Sequence, residues 1–569
     1  MKSNKIFKQY IQIIISFLLL IFAIYKARIG IHSDEIHSIA VGDMISRGNL
    51  MFKDCWFYLQ LSAVLNAPLT WIFRYLSGSN DGLILYLRII SIFVQASISF
   101  FFYKTFKNEK NKFFVYIAAI CLFSFVPDFL NFGYKPELIW FTVLEICFAY
   151  KYCQSKKSIN LIFLGISLSL CVLCFPTTIL QVLVWIVFLF VRNKNKNESP
   201  KNIWYIPLTC LCCGIVFFIF VFSQISFKEF ITFFPEILND DQLDSSFITK
   251  LYKPFIKMIE LSVLSILPVI LCMKIRFFKS LVSKLKFPVF SFLLIMAFLG
   301  QCFIERAGIT WHCITYPYSL TMYFLPLIYI FSTNEEKEEN RDMFWCFSLM
   351  TWISYWCISL ASNQNNITCI YAGVFSTCGM LILIGNSNRQ EILKDLTTEK
   401  NLIAVSLCIM SLLMFIFPVW DQEAIYFERY GMRNIFSDRS LMTEGPAKGI
   451  YVSDEMYKRV NDLCDELNQY TTNDDKVYII ESAFYASFGY LHQKGMYATY
   501  SPRGHYFDRI KEYYDVNPQN LASTIIISKT YLEEKYDDTF PSGMALETVI
   551  IENGYIRSED ENFIIYKLP

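Results

Sequence analysis

The chain has 569 residues, of which 54% are apolar, 17% aromatic and only 18% charged, where a soluble domain carries about 25% charged residues. Its formal charge of +1 hides a division: residues 1–420 hold 36 Lys+Arg against 25 Asp+Glu, and residues 421–569 hold 15 against 25. A single soluble globular domain, a disordered chain and a generally basic nucleic-acid binder are excluded, and no nucleic-acid partner is expected.

A helix needs roughly 20 mostly apolar residues to cross a bilayer. Such stretches occur at 9–27, 82–103, 113–131, 137–150, 159–175, 177–191, 203–223, 256–273, 287–304, 315–332, 343–361, 369–385 and 402–420, which makes thirteen expected spans. The first follows Lys2, Lys5 and Lys8 and ends in Tyr25-Lys26-Ala27-Arg28. It lacks a small-x-small cleavage site, so it reads as a retained anchor and not a signal peptide.

Alternate connections are dense in cations: Lys104/Lys107/Lys110/Lys112, Lys151/Lys156/Lys157, Arg192/Lys194/Lys196/Lys201 and Lys274/Arg276/Lys279/Lys284/Lys286. The positive-inside rule then places the N-terminus in the cytoplasm. With an odd number of spans, residues 421–569 lie outside. The loop at 334–342 is acidic but contains Lys337 and Arg341, and acidic residues count little in this rule.

Most of the 18 cysteines fall in expected spans, where they act as small apolar packing residues. Cys171 and Cys174 form a C-x-x-C inside a span and read as packing. Cys464 alone belongs to the exported part, which therefore has no internal disulfide.

From Thr443 the pattern changes to that of an α/β domain. Ser453 can cap a helix to about Tyr470, with Met456, Val460, Leu463, Cys464 and Leu467 on one face. Strands are expected at 476–481 (KVYIIE), 523–528 (STIIIS), 548–552 (TVIIE) and 563–567 (FIIYK). Buried runs separated by helices predict a small, partly parallel sheet. No G-x-G-x-x-G or P-loop pattern marks a nucleotide site.

The most unusual stretch follows the first span: His32-Ser33-Asp34-Glu35-Ile36-His37, then a helical pattern to Arg47-Gly48. Adjacent carboxylates at the lipid–water boundary have the chemistry of a general base or of a divalent-cation ligand. They equally suit the first turn of a helix capped by Ser33, where acidic groups complement the dipole. Neighbours in sequence point to different faces, so one of the two is expected to meet a substrate. His32 and His37 are spaced i, i+5, which disfavours a shared metal.

Asp34-Glu35, Gly48 fourteen residues later, Pro68-Leu69, and Arg88 with Ser91 in the second span resemble the start of GT-C superfamily glycosyltransferases. The resemblance is closest to the protein O-mannosyltransferase and lipid A aminoarabinose transferase branch. It covers residues 30–95 at the level of motifs, and the whole chain at the level of architecture: a polytopic α-helical membrane domain at 1–420, with its catalytic first external loop at 28–81, and an extracytoplasmic α/β domain at 421–569.

The resemblance implies an inverting transferase that moves a sugar from a polyprenyl-phosphate donor to a lipid, glycan or protein acceptor. Asp34 then matches the base, and Glu35 its supporting or acceptor-positioning partner. Arg88 is implied to bind the donor phosphate or to hold the loop, with Lys135 and Arg306 as further phosphate ligands. Glu137 matches a second acidic position, with Asp128 as competitor, and His37 and His312 are placed as substrate-lining residues. No metal ligands are assigned, and a divalent cation is the one cofactor the carboxylates suggest.

The closest relatives carry a lysine just before their Pro-Pro-Leu segment, where this chain reads Leu65-Asn66-Ala67-Pro68-Leu69. Lys53 or Lys135 is the expected replacement. The loop at 224–255, with Asp240, Asp241 and Asp244, reads as a solvated surface loop, and Glu145 inside a span as a neutral, hydrogen-bonded or snorkelling side chain.

Two other readings stay open: a transporter or flippase of lipid-linked saccharides, and an inactive scaffold of the same fold. A transporter should show midplane charges, broken helices and related halves; no convincing half-to-half repeat is seen, and the notable ionisable groups, including all five histidines, collect on the expected outer side. The Lys-, Asn- and Ile-rich composition suggests an AT-rich bacterial genome, hence a bacterial inner membrane with the site facing the periplasm.

Overall fold

The structure is a computed structural model that describes residues 2–57, 59–126, 131–238, 321–326, 332–361, 371–386, 404–409, 418–422, 430–434, 438–500, 509–536 and 545–569, with scattered positions between 252 and 416. The expected spans at 256–273 and 287–304 lie outside the described residues, as do Asp128, Arg306, His312, His505 and Asp240, Asp241 and Asp244.

Among the described residues, five helices are long and apolar enough to cross a membrane: Gln9–Lys26, Leu83–Phe106, Pro176–Asn195, Pro200–Phe222 and Asn334–Ala361. The second, 24 residues long, measures about 36 Å at 1.5 Å per residue, enough for a hydrocarbon core of about 30 Å. The outward faces are apolar as well. Ile13, Ile14, Phe17, Leu18 and Ile21 are exposed on the first helix, and Leu211, Ile215, Val216 and Ile219 on the fourth. Helices apolar on both inner and outer faces belong in lipid, because water would meet an uncompensated apolar surface.

In chain order the helices are α1 (Lys2–Lys26), α2 (Ser33–Ser46), α3 (Gln60–Ser77), α4 (Leu83–Phe106), α5 (Lys112–Ser124), α6 (Tyr134–Ser155), α7 (Ser158–Cys174), α8 (Ile179–Asn195), α9 (Tyr205–Phe222), α10 (Phe227–Leu238), α11 (Asn334–Ala361) and α12 (Gly373–Asn386). The stretch expected as a short span at 137–150 is a full helix of 22 residues. Its ends, Tyr134-Lys135 and Tyr152–Ser155, are too polar to register as apolar. Pro176 interrupts the chain between α7 and α8 as its missing N–H requires.

Three of the basic connections meet at the start of α11, at one end of this bundle. Arg192 at the end of α8 bonds both carboxylate oxygens of Asp342, at 3.0 and 2.7 Å, and Glu198 at 2.8 Å. Lys156 also reaches Glu198, and Lys110 reaches Glu339. The acidic stretch expected as a loop at 334–342 is thus the first turns of α11, and its carboxylates neutralise the cations of neighbouring loops. Periodicity hid the start of this helix because its first residues are polar on every face.

At the opposite end, α2 and α3 pack against each other. Gly42 makes this approach possible: a Cβ there would lie 1.6 Å from Asn66 Oδ1, whose amide donates to the Ser38 carbonyl at 3.1 Å. Asn66, which stands where the family's lysine is expected, is therefore a packing residue between two helices. Gly42→Ala should destabilise the protein by about 1–3 kcal/mol, the usual cost of overpacking. A thermal melt in detergent checks this, and an unchanged midpoint would contradict the packing.

The C-terminal region carries β1 (Pro418–Gln422), β2 (Tyr430–Asn434), β3 (Ser440–Leu441), β4 (Tyr451–Val452), β5 (Lys476–Ile480), β6 (Met496–Tyr497), β7 (Thr524–Ser528), β8 (Ile556–Glu559) and β9 (Phe563–Lys567). β1 shows that the stretch expected as a span to residue 420 leaves helix before Pro418. Five strands form one sheet in the order β6-β5-β7-β9-β8, parallel across β6-β5-β7 and antiparallel across β7-β9-β8. The helix capped by Ser453 spans Asp454–Tyr470 and buries Met456, Val460, Leu463, Cys464 and Leu467, as its i, i+4, i+7, i+8, i+11 spacing demands.

One expected strand is a helix. Residues Ala545–Glu552 are helical, with Leu546, Val549 and Ile550 buried. The β-branched run at 548–551 mimics a strand, but its burial follows i, i+3, i+4. The strand comes after Gly554, whose φ of +67° turns the chain into β8.

This sheet domain shares one hydrophobic core with the first loop. Ile36, Ile39, Val41 and Met44 of α2 and Trp56, Phe57, Leu83 and Leu87 pack in the same cluster as Val452, Ile479, Phe488, Ile526 and Ile565. Asp43 of α2, fully buried, is bonded by Arg47 at 2.7 Å, Arg74 at 2.6 Å and the Tyr497 hydroxyl at 2.9 Å. Asn80 donates to the Leu491 carbonyl at 2.8 Å, and Asn520 to Asp54 at 2.8 Å. The loop that carries the two adjacent carboxylates is thereby clamped from both sides.

Candidate active site

The start of α2 decides what the two carboxylates do. His32 is extended and caps the helix: its Nδ1 accepts the Asp34 N–H at 3.1 Å, while Glu35 Oε2 accepts the His32 N–H at 3.5 Å. The cap expected at Ser33 sits one residue earlier, because an imidazole nitrogen can take the role of the Ser/Thr oxygen in a capping box.

Glu35 points inward and is fully buried. Its Oε1 accepts from Arg88 Nε at 2.6 Å and from Asn131 Nδ2 at 2.8 Å, and its Oε2 accepts from Arg88 Nη2 at 2.5 Å. The rest of the Arg88 guanidinium bonds the Ala27 carbonyl at 2.7 Å and the Gly30 carbonyl at 2.9 Å. Every guanidinium nitrogen of Arg88 is engaged, by Glu35 of α2 or by a carbonyl of the chain between α1 and α2. A bidentate fork of this kind is what an arginine does well and a lysine does not.

Asp34 points the other way. Its Oδ2 accepts the Tyr134 hydroxyl at 3.0 Å and the Lys135 ammonium at 2.8 Å. The side chain keeps 27% of its surface open, whereas Lys135 keeps 7%. Lys135 lies among aromatic rings, 5.5 Å from the Tyr134 centroid and 5.8 Å from that of Tyr371, contacts favourable to a cation. Burial alone would push the Asp34 carboxyl up; the Lys135 ammonium, with His32 and His37, overrides it and holds the group far below the usual carboxylate range. Asp34 is therefore an ionised acceptor at neutral pH.

The remaining expected residues have further partners of their own. His37, one turn on, bonds through Nδ1 to Ser487 Oγ at 2.8 Å and the Tyr500 hydroxyl at 3.2 Å, so it faces the sheet domain. Glu137 stands two residues after Lys135 and turns into the bundle, with Oε2 3.6 Å from Cys174 Sγ and Oε1 without a hydrogen bond among the described residues. Glu145 accepts from the Trp185 indole at 3.0 Å. Lys53 pairs with Glu229 of α10 at 2.8 Å, and His492 with Asn468 at 3.2 Å.

Two participants escape a reading of the sequence: Tyr134, the second donor to Asp34, and Asn131, the second donor to Glu35. Both lie next to Lys135 in the chain, in the stretch Asn131-Phe132-Gly133-Tyr134-Lys135. The signal available was that run of polar groups opening an otherwise apolar helix.

Among the described residues, no group of three or more His, Cys, Asp or Glu is placed to hold a metal ion.

No family model matches the chain, and no curated protein matches it. Similar chains are found among solved structures. Along 99% of its length it is similar to the oligosaccharyltransferase AglB of Archaeoglobus fulgidus in complex with an inhibitory peptide and a dolichol-phosphate, at 11% identity and a TM-score of 0.45, covering 75% of that chain. A second structure of the Archaeoglobus fulgidus oligosaccharyltransferase, with Zn and sulfate, is 12% identical over 97% of this chain and 73% of that one, at a TM-score of 0.47. ArnT from Cupriavidus metallidurans bound to undecaprenyl phosphate is 10% identical over 98% of both chains, at a TM-score of 0.41.

Proposed function

We propose that the chain is a membrane glycosyltransferase of the GT-C type, which moves a sugar from a polyprenyl-phosphate donor to a lipid, glycan or protein acceptor with inversion. The observation that carries this reading is the Asp34–Tyr134–Lys135 cluster: a partly open carboxylate beside a buried ammonium, at the end of the bundle away from the basic loops. Asp34 accepts the proton of the acceptor hydroxyl as that oxygen forms its bond to the sugar's anomeric carbon. The bond from that carbon to the phosphate oxygen breaks on the opposite face, and the electron pair leaves with the polyprenyl phosphate, where Lys135 meets the growing charge. Glu35 and Arg88 hold α2 so that Asp34 projects outward. Arg306 is a further donor-phosphate ligand, Asp128 competes with Glu137 for the second acidic site, and His37 and His312 line the substrate.

In this reading residues 1–420 form the membrane domain, with thirteen spans and a cytoplasmic N-terminus. Residues 421–569 stand in the periplasm of a bacterial inner membrane. The buried carboxylates Glu137 and Glu145 on α6 favour a second reading, a flippase of lipid-linked saccharides, since ionisable groups within a bundle often mark a transport path.

The test is a transfer assay on the full chain in nanodiscs with labelled polyprenyl-phosphate sugars, together with mass spectrometry of envelope lipids and glycans from a deletion strain. Transfer, and a loss of one sugar mass in the deletion, are expected. An unchanged envelope profile together with flipping of labelled lipid would establish the second reading instead.

A further inference from the structure

We propose that Lys135 is shared between Asp34 and the donor phosphate, so that the base stays quenched until a polyprenyl phosphate headgroup draws the ammonium away. The inference rests on the glycosyltransferase reading and adds to it an order of events: donor first, then a base competent for the acceptor.

The geometry supplies the parts. Lys135 Nζ sits 2.8 Å from Asp34 Oδ2, and an ammonium carries three donors that can be divided between two anions. Among the described residues, the groups facing Asp34 are Lys135 and Tyr134 from α6, His32 from the cap and His37 from the same helix. Arg88, the other cation nearby, is engaged by Glu35 and two carbonyls, so it is not the group that would move. Lys135 lies among the Tyr134 and Tyr371 rings, which favour the ammonium in either position.

The charge change during reaction makes this sharing useful. A sugar phosphodiester carries one negative charge, and the departing phosphomonoester carries about 1.5–2 at neutral pH. The pull on Lys135 therefore grows as the bond to the anomeric carbon breaks. Asp34 loses its ion-pair partner at the same moment that it must take the acceptor's proton. A carboxylate that kept its lysine would remain a weak base throughout.

The experiment reads Asp34 protonation without reading transfer. The full chain in nanodiscs is treated with a carbodiimide and an amine, which modify protonated carboxyls, across a pH series with and without undecaprenyl phosphate. Peptide mass spectrometry follows Asp34, and native mass spectrometry reports whether the lipid is bound. The expected result is a labelling midpoint for Asp34 that rises by about 1–3 pH units on lipid binding, the size of shift an adjacent opposite charge imposes. Lys135→Gln should show the raised midpoint with no lipid present, while Tyr134→Phe should keep the lipid-dependent shift.

Bound lipid with an unchanged midpoint in the wild-type chain would overturn the sharing and leave the transferase reading standing. Failure of the lipid to bind at saturation would overturn the donor assignment and the sharing with it. The wild-type comparison needs no variant to fold.

Discussion

Asp34→Asn is expected to lower sugar transfer by about 10²–10⁴-fold, the usual contribution of a positioned general base, with donor binding retained. The amide keeps a carbonyl oxygen for the Tyr134 hydroxyl, which lies 3.0 Å from the carboxylate in the native chain, but it has no basicity to offer the acceptor. It also removes the Asp34–Lys135 ion pair, so donor affinity should hold or rise. A transfer assay paired with undecaprenyl phosphate binding by native mass spectrometry separates the two effects. Loss of binding in parallel with activity would indicate that Asp34 shapes the site, whereas full activity would remove it from the chemistry.

The second large effect is on stability. Arg88→Ala leaves Glu35 buried with neither half of its bidentate partner, and removing one member of a buried pair costs about 3–5 kcal/mol. It also strips two donors from the carbonyls of Ala27 and Gly30, so the chain between α1 and α2 loses its anchor. The melting temperature in detergent should fall sharply, and residues near α2 should exchange amide hydrogens faster. Glu35→Gln together with Arg88→Met, which removes both charges, should recover part of the loss, because no buried charge is then left unpaired. A donor-binding defect with an unchanged melt would instead return Arg88 to the phosphate.

These two neighbours in sequence have opposite fates, and only part of that was readable beforehand. The helix geometry already required Asp34 and Glu35 to point to different faces. Which one faced open space depended on Arg88, 53 residues further on, and on Lys135, 101 residues away. Lys135 stood out beforehand as a cation at the mouth of an apolar helix, where the resemblance implied a phosphate ligand. Tyr134 was not, since an aromatic residue at a helix end is ordinary.

His37 shows the limit most plainly. From its place one turn beyond Asp34 it reads as a substrate-lining group, and nothing in the sequence foretells its bonds to Ser487 and Tyr500, 450 and 463 residues away. Nothing local distinguishes an imidazole that faces a substrate from one that faces another domain. The same holds for Ala545–Glu552, where β-branched residues suggested a strand and packing made a helix.

Hydropathy and charge are properties of contiguous residues, so the chain alone determined the apolar helices, the basic connections between them, the acidic α/β region and the capped helix after Ser453. Those follow from the cost of placing apolar groups in water and polar groups in lipid, which each segment meets by itself. The tertiary structure decided that Glu35 is locked, that Asp34 is open beside Lys135, and that the sheet domain shares a core with the first loop. Each of these depends on which side chain occupies the space opposite, and that is settled only when distant segments pack together.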